Sequence, residues 1–150
     1  MAWIEKIAVH WNHWDLMAWA REPLPGEVLD RFNESQETFE IRFFEDMLVR
    51  LGDREEIFVA LGELYTRTGR YREGLAIDRR LVTLRPRDST AFYNLACSYS
   101  LLKEKARAFT ALERAIELGY RDLEHMAADP DLENLRSDPR WNDLLDVVKS

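Results

Sequence analysis

The chain is expected to be all-α: stacked helix-turn-helix repeats forming an α-α superhelix, with an extra N-terminal helix and short C-terminal capping helices. Three observations lead to this class. Residues 55 to 122 read as two copies of one unit thirty-four residues apart, so that Phe58 falls on Phe92, Leu61 on Leu95, Gly62 on Ala96 and Tyr65 on Tyr99. The match continues with Gly74 on Ala108, Leu75 on Phe109, Leu81 on Ala115 and Leu84 on Leu118, and a fixed period of this length signals a stacked repeat architecture. The flanks carry the three- and four-residue apolar spacing of helices. Finally, six Gly and five Pro are too few for a β-rich fold full of tight turns.

At 150 residues and 17.7 kDa the chain is one domain's worth, long enough to bury a sizeable core. One helical domain over 1–150 is expected, with N-terminal capping helices and a degenerate repeat in 1–54, repeats in 55–88 and 89–122, and a degenerate closing segment in 123–150. The net charge of −7 disfavours nucleic acid as a partner, because phosphate binding needs a concentrated positive face. A single cysteine, Cys97, precludes an internal disulfide and suits a reducing compartment. The first residues lack the basic head and apolar run of a signal peptide, and no stretch is apolar for long enough to span a bilayer. A cytoplasmic location is the expectation.

Taken in order, Trp3, Ile7, Trp11, Trp14 and Ala18 recur at helical steps and form one stripe of a first helix. Val9 and Leu16 point elsewhere, so this helix is expected to touch protein on more than one face. Pro23, Pro25 and Gly26 end it. A second helical pattern runs from about Glu27 to Leu51 through Val28, Phe32, Phe39, Phe43, Phe44, Met47 and Leu48, with a polar stretch, Asn33 to Gln36, as a place to break or bend. Gly52 supplies the stop. In the first clear repeat, helices are expected over Glu55–Arg67 and Tyr71–Leu84, with Thr68-Gly69 as the turn and Pro86 closing the unit. The second copy places them at Thr90–Leu102 and Lys105–Leu118. After Tyr120 the period fails. Asp129-Pro130 and Asp138-Pro139 each read as an N-cap followed by a first-turn proline. Short helices follow near 122–128 and 131–136, then a last one from Pro139 to Val148. A stack ends this way because its terminal unit must present a polar face to water.

The unit resembles the tetratricopeptide repeat. That family's first helix carries a large apolar residue, then Leu and a small residue, then Tyr, at the spacing of Phe58, Leu61, Gly62 and Tyr65 and again of Phe92, Leu95, Ala96 and Tyr99. Its second helix is matched by Gly74 and Pro86 in the first copy and by Ala108 and Leu112 in the second. Small residues let the paired helices approach while the aromatic ones fill the space between them. The segment from Gly119 to Val148 also looks like the closing segment behind bacterial repeats of this kind.

The resemblance implies a concave groove lined by the first helix of each unit. In this chain those positions are Glu56, Val59, Glu63, Thr66 and Arg67, then Thr90, Tyr93, Asn94, Cys97, Ser100 and Leu101. Such a surface suits an extended peptide or a partner helix, and the Asn94 amide could both donate to and accept from a peptide backbone. Members that grip acidic C-terminal tails use clusters of Lys and Arg beside such asparagines. The corresponding positions hold Val59, Glu63, Glu124 and Ala128, so a carboxylate clamp is not expected. Asp78 departs from the pattern, standing where a bulky apolar residue belongs. A surface misfit is the simplest reading; a locally rotated helix, or partial burial beside a basic partner, are the others.

Charge is uneven. Arg67, Arg70, Arg72, Arg79, Arg80, Arg85 and Arg87 make one stretch basic, and Asp129, Asp131, Glu133, Asp138, Asp143 and Asp146 make the tail acidic. A solvated outer face is the simpler account of such runs; docking of an acidic partner or head-to-tail association is the functional one. His10 and His13 share a helix face and could share a metal, though without evident carboxylate help. Cys97, inside a repeat helix with no histidine near it in sequence, reads as a filler rather than a nucleophile. Phosphate loops, nucleophile elbows and calcium loops are absent, so no catalytic residue, cofactor or metal is assigned.

The expected function is a non-catalytic adaptor or scaffold that binds a protein or peptide in its groove, without nucleic acid or membrane. One alternative is a self-assembling subunit, a homo-oligomer joined through the N-terminal helix, which holds Trp3, Trp11, Trp14 and Trp19. The other is a small metal-dependent protein using His10 and His13. The tryptophan stripe itself is expected to cap the stack; a dimer interface or a membrane-surface helix are competing uses.

Overall fold

A computed structural model describes residues 26–149, and every described element is helical. The helix expected from the tryptophan stripe, with His10 and His13, falls outside the described residues. The chain divides into two compact units, residues 1–36 and 37–150. Of the first, only the opening turns of helix α1 (Gly26–Leu51) are described. Asn33 to Gln36 are helical, so the polar stretch does not interrupt α1; four residues of moderate propensity cost little inside a 26-residue helix.

The second unit contains the rest of α1, then α2 (Glu55–Arg67), α3 (Tyr71–Leu84), α4 (Ser89–Leu101), α5 (Lys105–Glu117), α6 (Leu123–Ala128), a 3-10 helix (Pro130–Leu135) and α7 (Arg140–Lys149). Helices α2 to α5 each pack on the next, the 3-10 helix packs on α4, and α7 touches α5. The bounds of α2 and α3 coincide with those read from the repeat, and α4 and α5 start or stop one residue earlier.

The thirty-four-residue period is visible in the backbone. α2 ends with Gly69 at φ 73° and α4 ends with Lys103 at φ 62°, one period later. In both, the next amide reaches back to the last turn of the helix: Arg70 N–H donates to the Tyr65 carbonyl at 2.7 Å and Glu104 N–H to the Tyr99 carbonyl at 2.9 Å. This is a Schellman closure, which needs a left-handed residue at its corner. α5 ends the same way at Gly119, φ 105°. Asp88 caps α4 by accepting from Thr90 N–H at 2.9 Å and Ala91 N–H at 3.2 Å.

Two apolar clusters form the core. Ile41, Ile57, Phe58, Leu61, Leu64, Tyr65, Ile77, Leu81 and Ala91 hold α1, α2 and α3 together against the start of α4. The second cluster joins Leu95, Ala96, Tyr99, Ala108, Phe109 and Leu112 to Met126, Leu132, Leu135, Trp141 and Leu144 of the closing segment. Val82 packs against both. Ala96 and Ala108 are fully buried, which is the close helix approach their small size permits.

Candidate functional site

An open pocket of about 630 Å³ lies where α2, α3, α4 and the closing segment converge. Seven expected groove residues line it: Val59, Glu63, Thr66 and Arg67 from α2, and Tyr93, Asn94 and Cys97 from α4. Glu56, Thr90, Ser100 and Leu101 do not; Glu56 and Thr90 are exposed, Leu101 is half-buried and Ser100 is fully buried. Residues that sequence reasoning did not place there complete the lining: Gly62 from α2, Asp78 and Leu81 from α3, and His125, Asp129 and Asp131 from the closing segment.

Asp78 is not at the surface. It is 6 % exposed, and its partner is neutral rather than basic: the Ser98 hydroxyl donates to Oδ2 at 2.5 Å. Both the surface reading and the reading with a basic neighbour are therefore corrected. Burial pushes its carboxyl up to about 6, and the Ser98 hydrogen bond only partly opposes this. The departure from the repeat pattern was the available signal for this residue.

Tyr93 does not offer an open aromatic face. It is 3 % exposed, its ring stacks on Tyr120 at 4.4 Å, and its hydroxyl donates to Asp129 Oδ2 at 2.7 Å. Burial first, then the Asp129 bond, raises the Tyr93 hydroxyl well above its ordinary range. The Cys97 thiol points at the same Oδ2 at 3.6 Å, while Asp129 Oδ1 accepts the Asp131 N–H at 2.9 Å and so caps the 3-10 helix. His125 Nε2 stands 3.7 Å from Asp129. Further along α4, the Ser100 hydroxyl donates to the Asp131 carbonyl at 2.6 Å, and Asn134 Nδ2 donates back to the Ser100 carbonyl at 2.6 Å and to its hydroxyl at 2.7 Å. The closing segment is thus clasped onto α4 from Tyr93 to Ser100. The space beside Val59, Glu63 and Asn94 stays open.

Cys97 is buried, and desolvation followed by the charge of Asp129 raises its thiol well above the ordinary range. A protonated thiol in that setting is a poor nucleophile. Cys97, Asp129 and Asp131 could bring three ligand atoms within 4.8 Å of one another. However, both Asp129 oxygens already accept hydrogen bonds, so the group is arranged as a donor–acceptor network. Asp131 is raised by burial and then by its neighbour Asp129.

The arginine run is largely engaged within the chain. Arg67 pairs with Glu37 at 2.7 Å and Glu40 at 3.5 Å, Arg70 with Glu73 at 2.9 Å, Arg80 with Asp53 and Arg85 with Glu55. Arg70 and Arg80 also cover the rings of Tyr65 and Phe58 at 4.7 and 4.9 Å. In the tail, Asp138 pairs with Arg140 at 2.7 Å.

Comparison with known proteins adds two findings. A family model described as tetratricopeptide repeat matches residues 89–118, which cover α4 and α5. The chain is also similar to a chloroplastic protein of Arabidopsis thaliana, with 32% identity over 123 residues. That match covers 80% of this chain and 35% of the relative, so the chain spans about a third of the relative's length.

Proposed function

We propose that this chain, a member of the tetratricopeptide repeat family, is a non-catalytic protein-binding module that holds a segment of a partner against α2 and α4. The observation that carries this reading is the pocket of about 630 Å³, open between Val59, Glu63 and Asn94 although the closing segment covers Tyr93, Cys97 and Ser100 on the same side of α4. Its walls combine aliphatic surface with hydrogen-bonding side chains, the mixture an extended peptide requires. Asn94 is half-buried there and its amide can both donate and accept. Tyr93 and Cys97 support the pocket wall in this reading, and Asn94, Val59, Glu63, Thr66 and Arg67 meet the partner.

The test is site-specific photo-crosslinking in cells. A photoreactive amino acid at Val59 should capture a discrete partner that the same group at Ala106, exposed on α5, does not. Equal capture at both positions would remove the pocket from the account. The location proposed from composition is the cytoplasm, whereas the Arabidopsis relative is named as chloroplastic; imaging of a fluorescent fusion decides between the two. Among the described residues, no helix is long and apolar enough to cross a membrane.

A further inference from the structure

The pocket has a pronounced charge bias. Glu63, Asp78, Asp129 and Asp131 bring four carboxyl groups to it, against Arg67 and His125. Arg67 is already held by Glu37 and Glu40 of α1 at 2.7 and 3.5 Å and by Glu63 at 3.8 Å, so its charge is balanced before any ligand arrives. Asp129 is occupied by Tyr93, Cys97 and the Asp131 amide. Asp78 is different. Among the described residues its carboxylate receives one hydrogen bond, from a neutral hydroxyl, and faces no cation.

The second oxygen of Asp78 sits at the pocket wall. A Cβ built on Gly62, itself part of the lining, would lie 3.3 Å from Asp78 Oδ1, so the absent side chain at Gly62 is what gives that oxygen room beside α2 at the pocket wall. A carboxylate withdrawn from water with a single neutral donor is costly, and a cation delivered from outside removes most of that cost. Val59 and Leu81 supply aliphatic wall on the way in. That suits the methylene stem of a long basic side chain, which buries its carbons while its head seeks a charge.

We infer that the pocket takes the lysine or arginine side chain of an extended partner peptide, with the Asp78 carboxylate at its floor as the counter-charge. This rests on the reading of the chain as a protein-binding module and names the chemistry of what is bound. An acidic peptide is repelled by the same four carboxyl groups.

The experiment selects random dodecapeptides displayed on phage against the full chain, then measures the affinity of the selected peptides for the wild type, Asp78→Asn and Glu63→Gln. The competitors are N-acetyl-lysine methylamide and its uncharged norleucine counterpart. A lysine or arginine recurring at one position is expected, with affinity at least about tenfold weaker for Asp78→Asn. Glu63 is 75% exposed at the rim, so Glu63→Gln leaves the fold intact and should weaken binding about twofold. The lysine compound should displace the peptides and the norleucine compound should not. Circular dichroism verifies that Asp78→Asn is folded. Selected peptides without a basic position, or indifferent to Asp78→Asn, overturn the inference while crosslinking from Val59 leaves the module reading standing. If no peptide is selected the inference also falls, and if Val59 captures nothing either, both fall together.

Discussion

The Ser98 hydroxyl lies 2.5 Å from Asp78 Oδ2, joining α3 of one repeat to α4 of the next through a hydrogen bond buried on both sides. The two residues are twenty apart in sequence. Neither fits the apolar stripe of its helix, and each is tolerated because the other is there. A buried acceptor with its donor in place costs far less than either group alone.

Asp78 makes stability fall as pH rises. Its folded value is raised from 3.8 to about 6, so the native state holds the proton more tightly than the unfolded chain. The stability this contributes is fully present below pH 3.8 and is lost as pH climbs through about 6. The loss is about 3 kcal/mol. Asp78→Asn should therefore be about 1–2 kcal/mol more stable than wild type at pH 7.5, with the advantage vanishing at pH 4. Urea denaturation of both proteins at several pH values measures the difference, which cancels the titration of every other carboxyl group.

Ser98→Ala removes the one donor. At pH 7.5 the ionised Asp78 is left without a hydrogen bond, and the expected cost is about 2–3 kcal/mol. At pH 4, where Asp78 is protonated, the cost should shrink to about 1 kcal/mol. A pH-independent penalty would show that the serine matters only for packing.

Tyr93 anchors the closing segment. Tyr93→Phe keeps the stack on Tyr120 but takes the hydroxyl from Asp129, for an expected cost of about 1–2 kcal/mol. Tyr93→Ala removes the ring as well and should cost about 3–5 kcal/mol. Amide hydrogen exchange should show faster opening at Asp131 and Leu132 in the Phe variant, with Leu61 and Leu64 in α2 unchanged.

Lys103 occupies a left-handed corner that Gly69 fills in the preceding repeat. A side chain there costs about 1–2 kcal/mol, of which glycine's extra unfolded-state freedom returns about half. Lys103→Gly should raise stability by about 0.5–1 kcal/mol, and Gly69→Ala should lower it by about 1 kcal/mol. Thermal denaturation checks both.

Much of the architecture was legible in the residues because a repeat states its own boundaries twice. Helices α2 and α3 fall where Phe58, Leu61, Tyr65 and the Thr68-Gly69 turn put them. Asp129 caps the 3-10 helix, and Asp138 accepts the Arg140 N–H at 3.1 Å, as their Asp-Pro pairs indicated. The polar stretch in α1 was harder to read, since propensity differences of a few tenths of a kcal/mol per residue do not decide whether a long helix continues. Asp78 was legible as an anomaly but not as a buried group.

The amino-acid order by itself determined the helical class, the thirty-four-residue rhythm, the turns and the caps, all of which follow from contacts between residues a few positions apart. Tertiary structure alone decided which face of α4 stays open. Tyr93, Cys97 and Ser100 lie on the expected inner side, yet Asp129, Asp131 and Asn134 reach across thirty or more positions to cover them. It also decided that Asp78 would be enclosed, through Ser98 on the next helix and the bare backbone of Gly62 on the previous one. Periodicity reports the direction a side chain takes from its own helix, and a neighbour brought in by the fold determines whether water remains beyond it.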